Sequence, residues 1–232
     1  MANDRLAINA DSGPGKLNQS TPFSSHSLIF LDQKAIMTIA DKATIDLAFT
    51  NARSQNGWTD KPVSDDELRA IYEIAKWGPT SMNCQPARIQ FLRTAEARAR
   101  LVPCMSPGNQ TKTSTAPVVA VIGYNPEFYT ELIKVFPHNP NARGIFEGKE
   151  PLIQATAFRN GSLQGAYLMI AARMQGLDCG PMSGFDPAKV DAEFWAGTPI
   201  KTNFITGLGH GDAAKVMGRS PRYTFDEACK LL

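Results

Sequence analysis

Four short segments of the chain have the pattern of β-strands buried in a sheet. The clearest is 116–124, "APVVAVIGY", which is rich in β-branched residues, carries no charge and is bounded by Pro117 and Gly123. The others are "ARIQFL" at 87–92, "LDCGPMSGF" at 177–185, which runs from a short strand into a glycine-rich loop, and "NFITGLG" at 203–209. Two of these strands are apolar enough to be central in a sheet.

Apolar residues elsewhere recur at helical spacing. Ser64 and Glu67 form a capping box, and the apolar stripe after them predicts a helix that stops at the Trp-Gly-Pro of 77–79. The longest helical pattern, 154–175, ends at Gly176 and is apolar on nearly every side in its second half, which predicts a buried central helix.

Shorter helices and one long excursion complete the pattern. Helices are predicted at 44–53, at 94–104 and after Asp186-Pro187, while "SPGN" at 106–109 predicts a turn. Residues 125–151 are rich in Pro, Asn and Gly, and we expect a partly helical excursion of the kind that often covers a pocket. Because helices outnumber strands, we predict an α+β or mixed α/β fold in one domain.

The first 36 residues differ from the rest of the chain. Residues 1–36 are polar, aperiodic and rich in Gly, Pro and Ser, which predicts a disordered extension, whereas 37–232 form the single domain. They lack the basic and apolar segments of a secretory signal. We expect Met37 to lie near the start of the fold, and of the translated protein.

Charge and cysteine content exclude several classes of function. The net charge is +2, from 24 basic and 22 acidic residues, which argues against nucleic-acid or membrane-surface binding. No apolar run approaches the length of a membrane span. The four cysteines are scattered, without metal-ligand spacing, so we expect a reduced, cytoplasmic protein with no metal site.

Three apparent catalytic motifs fail on inspection. "GLGHGDAAK" at 207–215 is not G-x-G-x-x-G, and the chain ends too soon after it for a dinucleotide-binding unit. Ser183 lies in "GPMSG", which lacks the G-x-S-x-G nucleophile elbow. Cys84, a lone cysteine in a loop, is typical of a small packing residue.

What remains is a set of small polar loops and separated cations. They are Arg53, Ser54 and Asn56, the loops 80–85 and 180–184, and Lys215, Arg219 and Arg222. Each cluster alone is ordinary surface. Together they suit a ligand with a phosphate at one end and a flat polar ring at the other, because cations and hydroxyls bind phosphate, whereas amides and glycine backbone can approach a ring edge.

In this order and spacing, these segments resemble the nitroreductase family of FMN enzymes. The resemblance is carried by "RSQN" at 53–56, "PTSMNCQP" at 79–86, "GPMSGF" at 180–185, and Lys215 with Arg219. Longer stretches, such as "KWGPTSMNCQPARI" and "TAFRNGSLQGAYL", are most similar to the RutE-type malonic semialdehyde reductase branch. The resemblance implies an α+β fold with a central mixed sheet surrounded by helices, in a homodimer with FMN at the interface and a C-terminal segment that wraps the partner.

The resemblance also implies a cofactor site. The residues assigned to it are Arg53, Ser54, Asn56, Pro79, Thr80, Ser81, Asn83, Gln85, Met182, Ser183, Gly184, Lys215 and Arg219. The cations and Ser54 would hold the phosphate, and Asn83 would face the pyrimidine edge or the ribityl chain. The backbone of 182–184 would face flavin N5 and O4, while 79–81 would reach the flavin bound mainly by the other subunit.

The implied reaction is a two-step hydride transfer in one pocket. NADH or NADPH reduces the flavin at N5 and leaves, and a small oxidised substrate takes its place. For a semialdehyde, Arg143 and Arg159 are candidates to bind the carboxylate and His138 is a candidate proton donor. The alternatives are a solvated loop residue for Arg143 and an interface ion pair for Arg159.

Three functional hypotheses follow from this resemblance. The first is reduction of malonic semialdehyde to 3-hydroxypropionate in pyrimidine degradation. The second is a broad-specificity NAD(P)H nitroreductase or quinone reductase on the same fold. The third is a flavin-binding protein without turnover. The residues do not choose between NADH and NADPH, because no separate dinucleotide site is legible.

Overall fold

The computed structural model describes residues 39–232, so the predicted extension at 1–36 and the expected start at Met37 lie outside the described residues. The domain is built on one four-stranded sheet in the order β1-β2-β4-β3. Its strands are β1 (Ala87–Leu92), β2 (Val118–Tyr124), β3 (Asp178–Met182) and β4 (Lys201–Gly209). All four segments with a strand pattern in the sequence therefore form strands.

Every strand pair of this sheet is antiparallel. The prediction of a mixed sheet needs this correction: within residues 39–232, the parallel pairing is limited to a single bridge between Ser54 and Cys179. Val121 lies opposite Ile205, and Cys179 opposite Leu208, so the most apolar strands occupy the centre. The four strands are joined by long connections that contain helices, which left the direction of pairing undetermined by the pattern.

Nine α-helices surround the sheet in the described part of the chain. They are α1 (Lys42–Ile45), α2 (Asp65–Ala75), α3 (Ala95–Leu101), α4 (Pro107–Thr115), α5 (Leu132–Val135), α6 (Arg143–Phe146), α7 (Glu150–Met174), α8 (Pro187–Phe194) and α9 (Phe225–Ala228). A π-helical turn, Asp46–Thr50, continues α1. The capping box of Ser64 and Glu67 starts α2 as predicted, and the side chain of Asp186 caps α8.

One predicted turn is wrong. The segment "SPGN" begins α4, because Ser106 takes the N-cap position and Pro107 the first position of a helix, where its missing N–H costs nothing. A turn and a helix start share these residue types, and the weakly apolar residues that follow gave no helical stripe.

The sheet is covered on both faces. Val118, Ala120 and Ile122 of β2 pack towards Leu168 of α7. Val119, Val121 and Ile205 pack in a second cluster, which includes residues of α3 and α8. A strand buried on both faces has an unbroken apolar sequence, which explains why 116–124 was the clearest signal.

Helix α7 lies close to the sheet because two of its residues have no side chain. A Cβ on Gly161 would lie 2.9 Å from Cβ of Tyr124, and one on Gly165 would lie 2.4 Å from the ring of Phe204. The helix begins at Glu150, earlier than the pattern predicted. In its apolar second half Leu168, Ala171 and Ala172 are buried, as predicted, whereas Met174 at the end of the helix is 45% exposed.

The excursion after β2 is packed rather than open. Phe128, Leu132 and Phe146 form a third buried cluster that includes Cys84. Phe128 and Phe146 meet edge to face, with ring centroids 4.9 Å apart. This excursion therefore supports the 79–86 loop from one side. No helix within residues 39–232 combines the length and the apolar character needed to cross a bilayer.

Candidate functional site

Four arginines surround one surface cavity of about 650 Å³, which we call the arginine cavity. The arginines are Arg53, Arg173, Arg219 and Arg222. Ser54, Asn56 and Phe49 also line the cavity, and no Asp or Glu of the described chain does. None of the four arginines forms an ion pair within residues 39–232. The predicted phosphate residues Arg53, Ser54, Asn56 and Arg219 are thus brought together.

Backbone carbonyls hold these guanidinium groups in place. Arg219 donates to the carbonyl oxygens of Thr50 and Ala52, at 2.7 and 3.2 Å, where the π-helical turn ends. Arg53 donates in return to the carbonyl of Met217. The two loops are therefore cross-braced by their own cations. Because carbonyl oxygens leave the positive charges uncompensated, the cavity favours an anion.

The third cation of the cavity comes from the long helix. Arg173 lies near the end of α7 and donates to the carbonyl oxygen of Ala48 at 3.0 Å. Its Nε is buried and has no hydrogen-bond partner among the described residues. Arg173 was not among the predicted site residues; it follows an apolar run at the end of a helix. A basic residue there is typical of an interaction with the helix dipole, so no sequence signal distinguished it.

Lys215 takes a different position from the one implied by the family resemblance. It does not line the arginine cavity, and its Nζ lies 3.4 Å from a carboxylate oxygen of Asp212. Its aliphatic stem lies against Gly57, where an added Cβ would be 2.1 Å from Cδ of Lys215. In a single chain, Lys215 therefore supports the segment after Asn56 and lies outside the cavity.

The 79–86 loop has an unusual backbone. Met82, Asn83 and Gln85 have positive φ values of 52°, 49° and 40°. Left-handed conformations cost non-glycine residues about 1–2 kcal/mol each, and asparagine tolerates them best. Such a conformation persists where surrounding contacts enforce it and is frequent at ligand sites. Pro79, Ser81 and Asn83 are exposed on this loop, and Thr80 is half-buried.

The two side-chain amides predicted to contact the flavin, those of Asn83 and Gln85, bond to backbone carbonyls of this chain. Asn83 Nδ2 donates to the carbonyl of Val135 at 2.7 Å, and Gln85 Nε2 donates to the carbonyl of Asn83 at 3.3 Å. The side chain of Cys84, itself a residue of this loop, is buried, and burial raises the pKa of its thiol to about 11. A thiol with that pKa stays protonated at neutral pH, in agreement with a packing role and against a nucleophile.

Met182, Ser183 and Gly184 lie at the end of β3. Met182 and Ser183 line a shallow apolar cavity of about 320 Å³ with Met169 and Phe204. The carbonyl oxygen of Gly184 accepts hydrogen bonds from Asn109 Nδ2 and from the N–H of Ser106, at 2.9 and 3.0 Å. The backbone of 182–184 is therefore fixed at a surface with apolar walls, a suitable edge for a flat ring.

These regions do not share a cavity in one chain. The arginine cavity, the cavity beside Gln85 and the cavity at Met182 have no lining residue in common. A single chain thus presents separated parts of the predicted site.

The candidate substrate residues are all exposed. Arg143 is held by Glu147, with Nη2 2.6 Å from Oε1, and this pairing raises the pKa of the guanidinium. The ring of His138 packs on Phe136 at a centroid distance of 3.9 Å. Arg159 projects from α7 and forms no ion pair within residues 39–232. Among these three, Arg159 is the residue with a charge available to a ligand.

Comparison with known proteins identifies the class of this fold. Residues 50–210 match the model of the nitroreductase family, and the chain belongs to that family of oxidoreductases. The fold is similar to that of a protein of Exiguobacterium sibiricum, provisionally called a nitroreductase and solved in complex with FMN. That structure has a TM-score of 0.74 and 20% identity, over 84% of this chain and 99% of that one.

Sequence relatives give finer names. A protein of Cupriavidus pinatubonensis is 56% identical over 189 residues, which cover 81% of this chain and 96% of the relative. HadB of Ralstonia pickettii is 57% identical over 193 residues, covering 82% and 98%. Both carry the provisional name NADH dehydrogenase/NAD(P)H nitroreductase.

Proposed function

We propose that this protein is an FMN-dependent NAD(P)H oxidoreductase that works as a homodimer and reduces a small carbonyl, nitro or quinone compound. The observation that carries the proposal is the arginine cavity: four guanidinium groups, two loops that brace each other, and no carboxylate of the described chain in the lining. The names of the relatives and the FMN complex of the Exiguobacterium protein support the same cofactor chemistry.

The donors of the cavity fit the phosphate of FMN. A phosphate monoester carries nearly two negative charges, and arginine forks match its oxygens. Arg53 and Arg219 would hold it from the two braced loops, with Ser54 and Asn56 as neutral donors and Arg173 behind them. The Nε of Arg173, buried and without a hydrogen-bond partner in 39–232, is the donor that an anion would satisfy. Bound FMN would supply the hydride chemistry, accepting a hydride from NAD(P)H and passing it to the acceptor.

The rest of the ligand would lie against neutral surface. The fixed backbone of 182–184 offers an edge without bulky polar groups, and Met182 and Ser183 line an apolar wall. Pro79, Thr80, Ser81, Asn83 and Gln85 belong to a separate surface. We assign them to the flavin held mainly by the partner subunit. Lys215 would support the segment after Asn56.

A dimer is supported by apolar side chains that one chain leaves exposed. On α7, Phe158, Leu163 and Met174 are 52%, 40% and 45% exposed. In the C-terminal segment, Tyr223 and Phe225 are 83% and 58% exposed. Large apolar surface of this kind marks an interface, and a partner would bring the separated parts of the site together.

We propose malonic semialdehyde as the acceptor, with nitro and quinone compounds as the second candidate. The semialdehyde carries a carboxylate, and we assign it to Arg159, which is exposed and has no ion-pair partner among the described residues. Arg143 is engaged by Glu147 and is the weaker assignment, and His138 remains the candidate proton donor. The names of the two relatives favour the second candidate.

Anaerobic reduction tests the proposal. Purified protein loaded with FMN should lose its yellow absorbance when NADH or NADPH is added under nitrogen, and should recover it with the acceptor. The kcat/KM for malonic semialdehyde should then exceed that for nitroaromatics and quinones, and Arg159→Ala should lower only the semialdehyde value, with Gln154→Ala on the same helix as control. Protein that binds no FMN at micromolar concentration would contradict the proposal.

A further inference from the structure

Three side chains of α7 point at the 79–86 loop from one face of the helix. Asn160, Gln164 and Tyr167 have the spacing i, i+4 and i+7, which places them in a row along the helix. We call them the α7 row. Gly161 and Gly165, next to this row, let α7 lie close to the sheet, so the row has a fixed position.

Each member of the α7 row bonds to a backbone group of the loop region. Oδ1 of Asn160 accepts from the N–H of Ser81 at 2.8 Å. Oε1 of Gln164 accepts from the N–H of Ala87 at 2.9 Å. These two bonds lie on either side of the left-handed residues.

The third bond fixes the entry to the loop. The hydroxyl of Tyr167 donates to the carbonyl of Pro79 at 3.0 Å. The ring of Tyr167 also lies across Gly78, where an added Cβ would be 2.0 Å from its Cδ2. The Trp-Gly-Pro that ends α2 therefore contains the glycine that admits this ring.

Asn160 is the most constrained member of the row. It is 2% exposed, and its Nδ2 donates to the carbonyl of Thr156 one turn earlier at 2.8 Å. This second bond fixes which amide atom faces Ser81. The side chain is thereby oriented before the loop meets it, which lowers the entropy lost when the loop bond forms.

We propose that Asn160, Gln164 and Tyr167 are positioning residues that hold the 79–86 loop in its left-handed conformation, ready to contact FMN across the dimer interface. The part that concerns FMN rests on the proposed function. The support of the conformation does not depend on FMN: three left-handed non-glycine residues need outside support, and these bonds tie both ends of the loop to a rigid helix.

Cys84 provides a direct readout of the loop conformation. Cys84 belongs to the loop and is buried in the cluster with Phe128 and Phe146, whereas Cys229 is exposed and Cys104 and Cys179 are buried elsewhere in the fold. Labelling with N-ethylmaleimide at pH 8, followed by mass spectrometry of each cysteine, separates loop opening from global loosening. Cys229 reports reagent activity, and Cys104 and Cys179 report unfolding.

Asn160→Ala should raise the labelling rate of Cys84 about tenfold, the change expected when one buried hydrogen bond is lost, while Cys104 and Cys179 stay protected. Tyr167→Phe removes only a hydroxyl and should raise it a few-fold, which keeps the test available if the first variant folds poorly. Asn203→Ala is the matched control, because its amide bonds to Ser162 of the same helix and not to the loop.

The FMN dissociation constant, measured by fluorescence quenching below the melting temperature, completes the test. It should rise at least fivefold in Asn160→Ala and stay unchanged in Asn203→Ala. A Cys84 rate within twofold of the wild type, or a parallel rise at Cys104 and Cys179, would overturn the inference, as would open Cys84 with unchanged FMN affinity. If the wild type binds no FMN, the proposed function fails while Cys84 still decides the role of the α7 row in the loop.

Discussion

Two groups of arginines in this protein lie in contrasting settings. In the first group, surface arginines have carboxylate partners: Arg93 contacts Asp65 at 2.6 Å, and Arg143 contacts Glu147 at 2.6 Å. Arg100 is likewise paired with Glu193 at 2.5 Å. In the arginine cavity, every hydrogen bond that Arg53 and Arg219 make to the described part of the chain goes to a backbone carbonyl.

The difference between the two settings indicates where the chain leaves positive charge available for a ligand. Exposed ion pairs contribute little to stability, about 0–1 kcal/mol, and their charges cancel locally. Four like charges around one cavity repel each other, and the fold tolerates this through its carbonyl contacts. An anion would convert that repulsion into binding energy, so the cavity and the paired surface should respond oppositely to mutation.

The largest expected effect is on FMN affinity. The double variant Arg53→Ala/Arg219→Ala should bind FMN at least ~100-fold more weakly, because each lost charge-assisted contact is worth roughly 1.5–3 kcal/mol. The matched control is Arg93→Ala/Arg100→Ala, which removes two paired arginines. Fluorescence titration should show wild-type affinity for the control. Equal losses of FMN affinity in both double variants would show that the cavity arginines have no special role in FMN binding.

A substitution in the hydrophobic core should lower stability and leave FMN affinity nearly unchanged. Ile122 is fully buried in β2 and packs beneath α7. Ile122→Ala should lower the free energy of unfolding by roughly 2–5 kcal/mol, measured by urea denaturation. Its FMN affinity at low temperature should stay within twofold of the wild type. A large loss of affinity would mean that the cavity depends on the whole sheet rather than on local charge.

Salt should weaken FMN binding by a smaller factor. Raising the ionic strength from 50 to 500 mM shortens the screening length, and we expect the affinity to fall about tenfold in the wild type. The double variant Arg53→Ala/Arg219→Ala should show a shallower dependence, because fewer charges remain to be screened. An identical slope for both proteins would assign the salt effect to other residues.

The smallest effect concerns a half-buried carboxylate outside the cavity, that of Glu67. Hydrogen bonds from the N–H and hydroxyl of Ser64 lower the pKa of Glu67 below 4.5. Because the folded pKa is the lower one, its contribution is present at neutral pH and is lost as pH falls through that value. Glu67→Gln should cost less than about 1 kcal/mol at pH 7, and the cost should be smaller at pH 3. Equal costs at both pH values would contradict this.

Local patterns were sufficient for most of the fold. Ser64 with Glu67, and Asp186 with Pro187, marked helix starts because capping is decided by neighbouring residues. The apolar run at 116–124 marked a strand covered on both faces. The direction of pairing in the sheet and the start of α4 at Pro107 depend on distant packing, and the pattern did not determine them.

The site was predictable only in part. Arg53, Ser54, Asn56 and Arg219, which lie in polar loops that stand out from the apolar elements, line one cavity, and their contact with phosphate stays a prediction. Arg173 was not assigned because its place in that cavity depends on where the end of α7 meets the π-helical turn after α1. The left-handed backbone of the 79–86 loop was not predicted from the sequence, since neither Met82 nor Gln85 is a residue type that favours positive φ.

The affinity difference between FMN and riboflavin shows whether the arginine cavity binds phosphate, because the two ligands differ only in that group. Calorimetric titration of the wild type should show FMN bound at least ~100-fold more tightly than riboflavin, and Arg53→Ala/Arg219→Ala should remove most of that difference. Equal affinity for the two ligands in the wild type would contradict the proposed phosphate site, because the arginine cavity would then bind no phosphate.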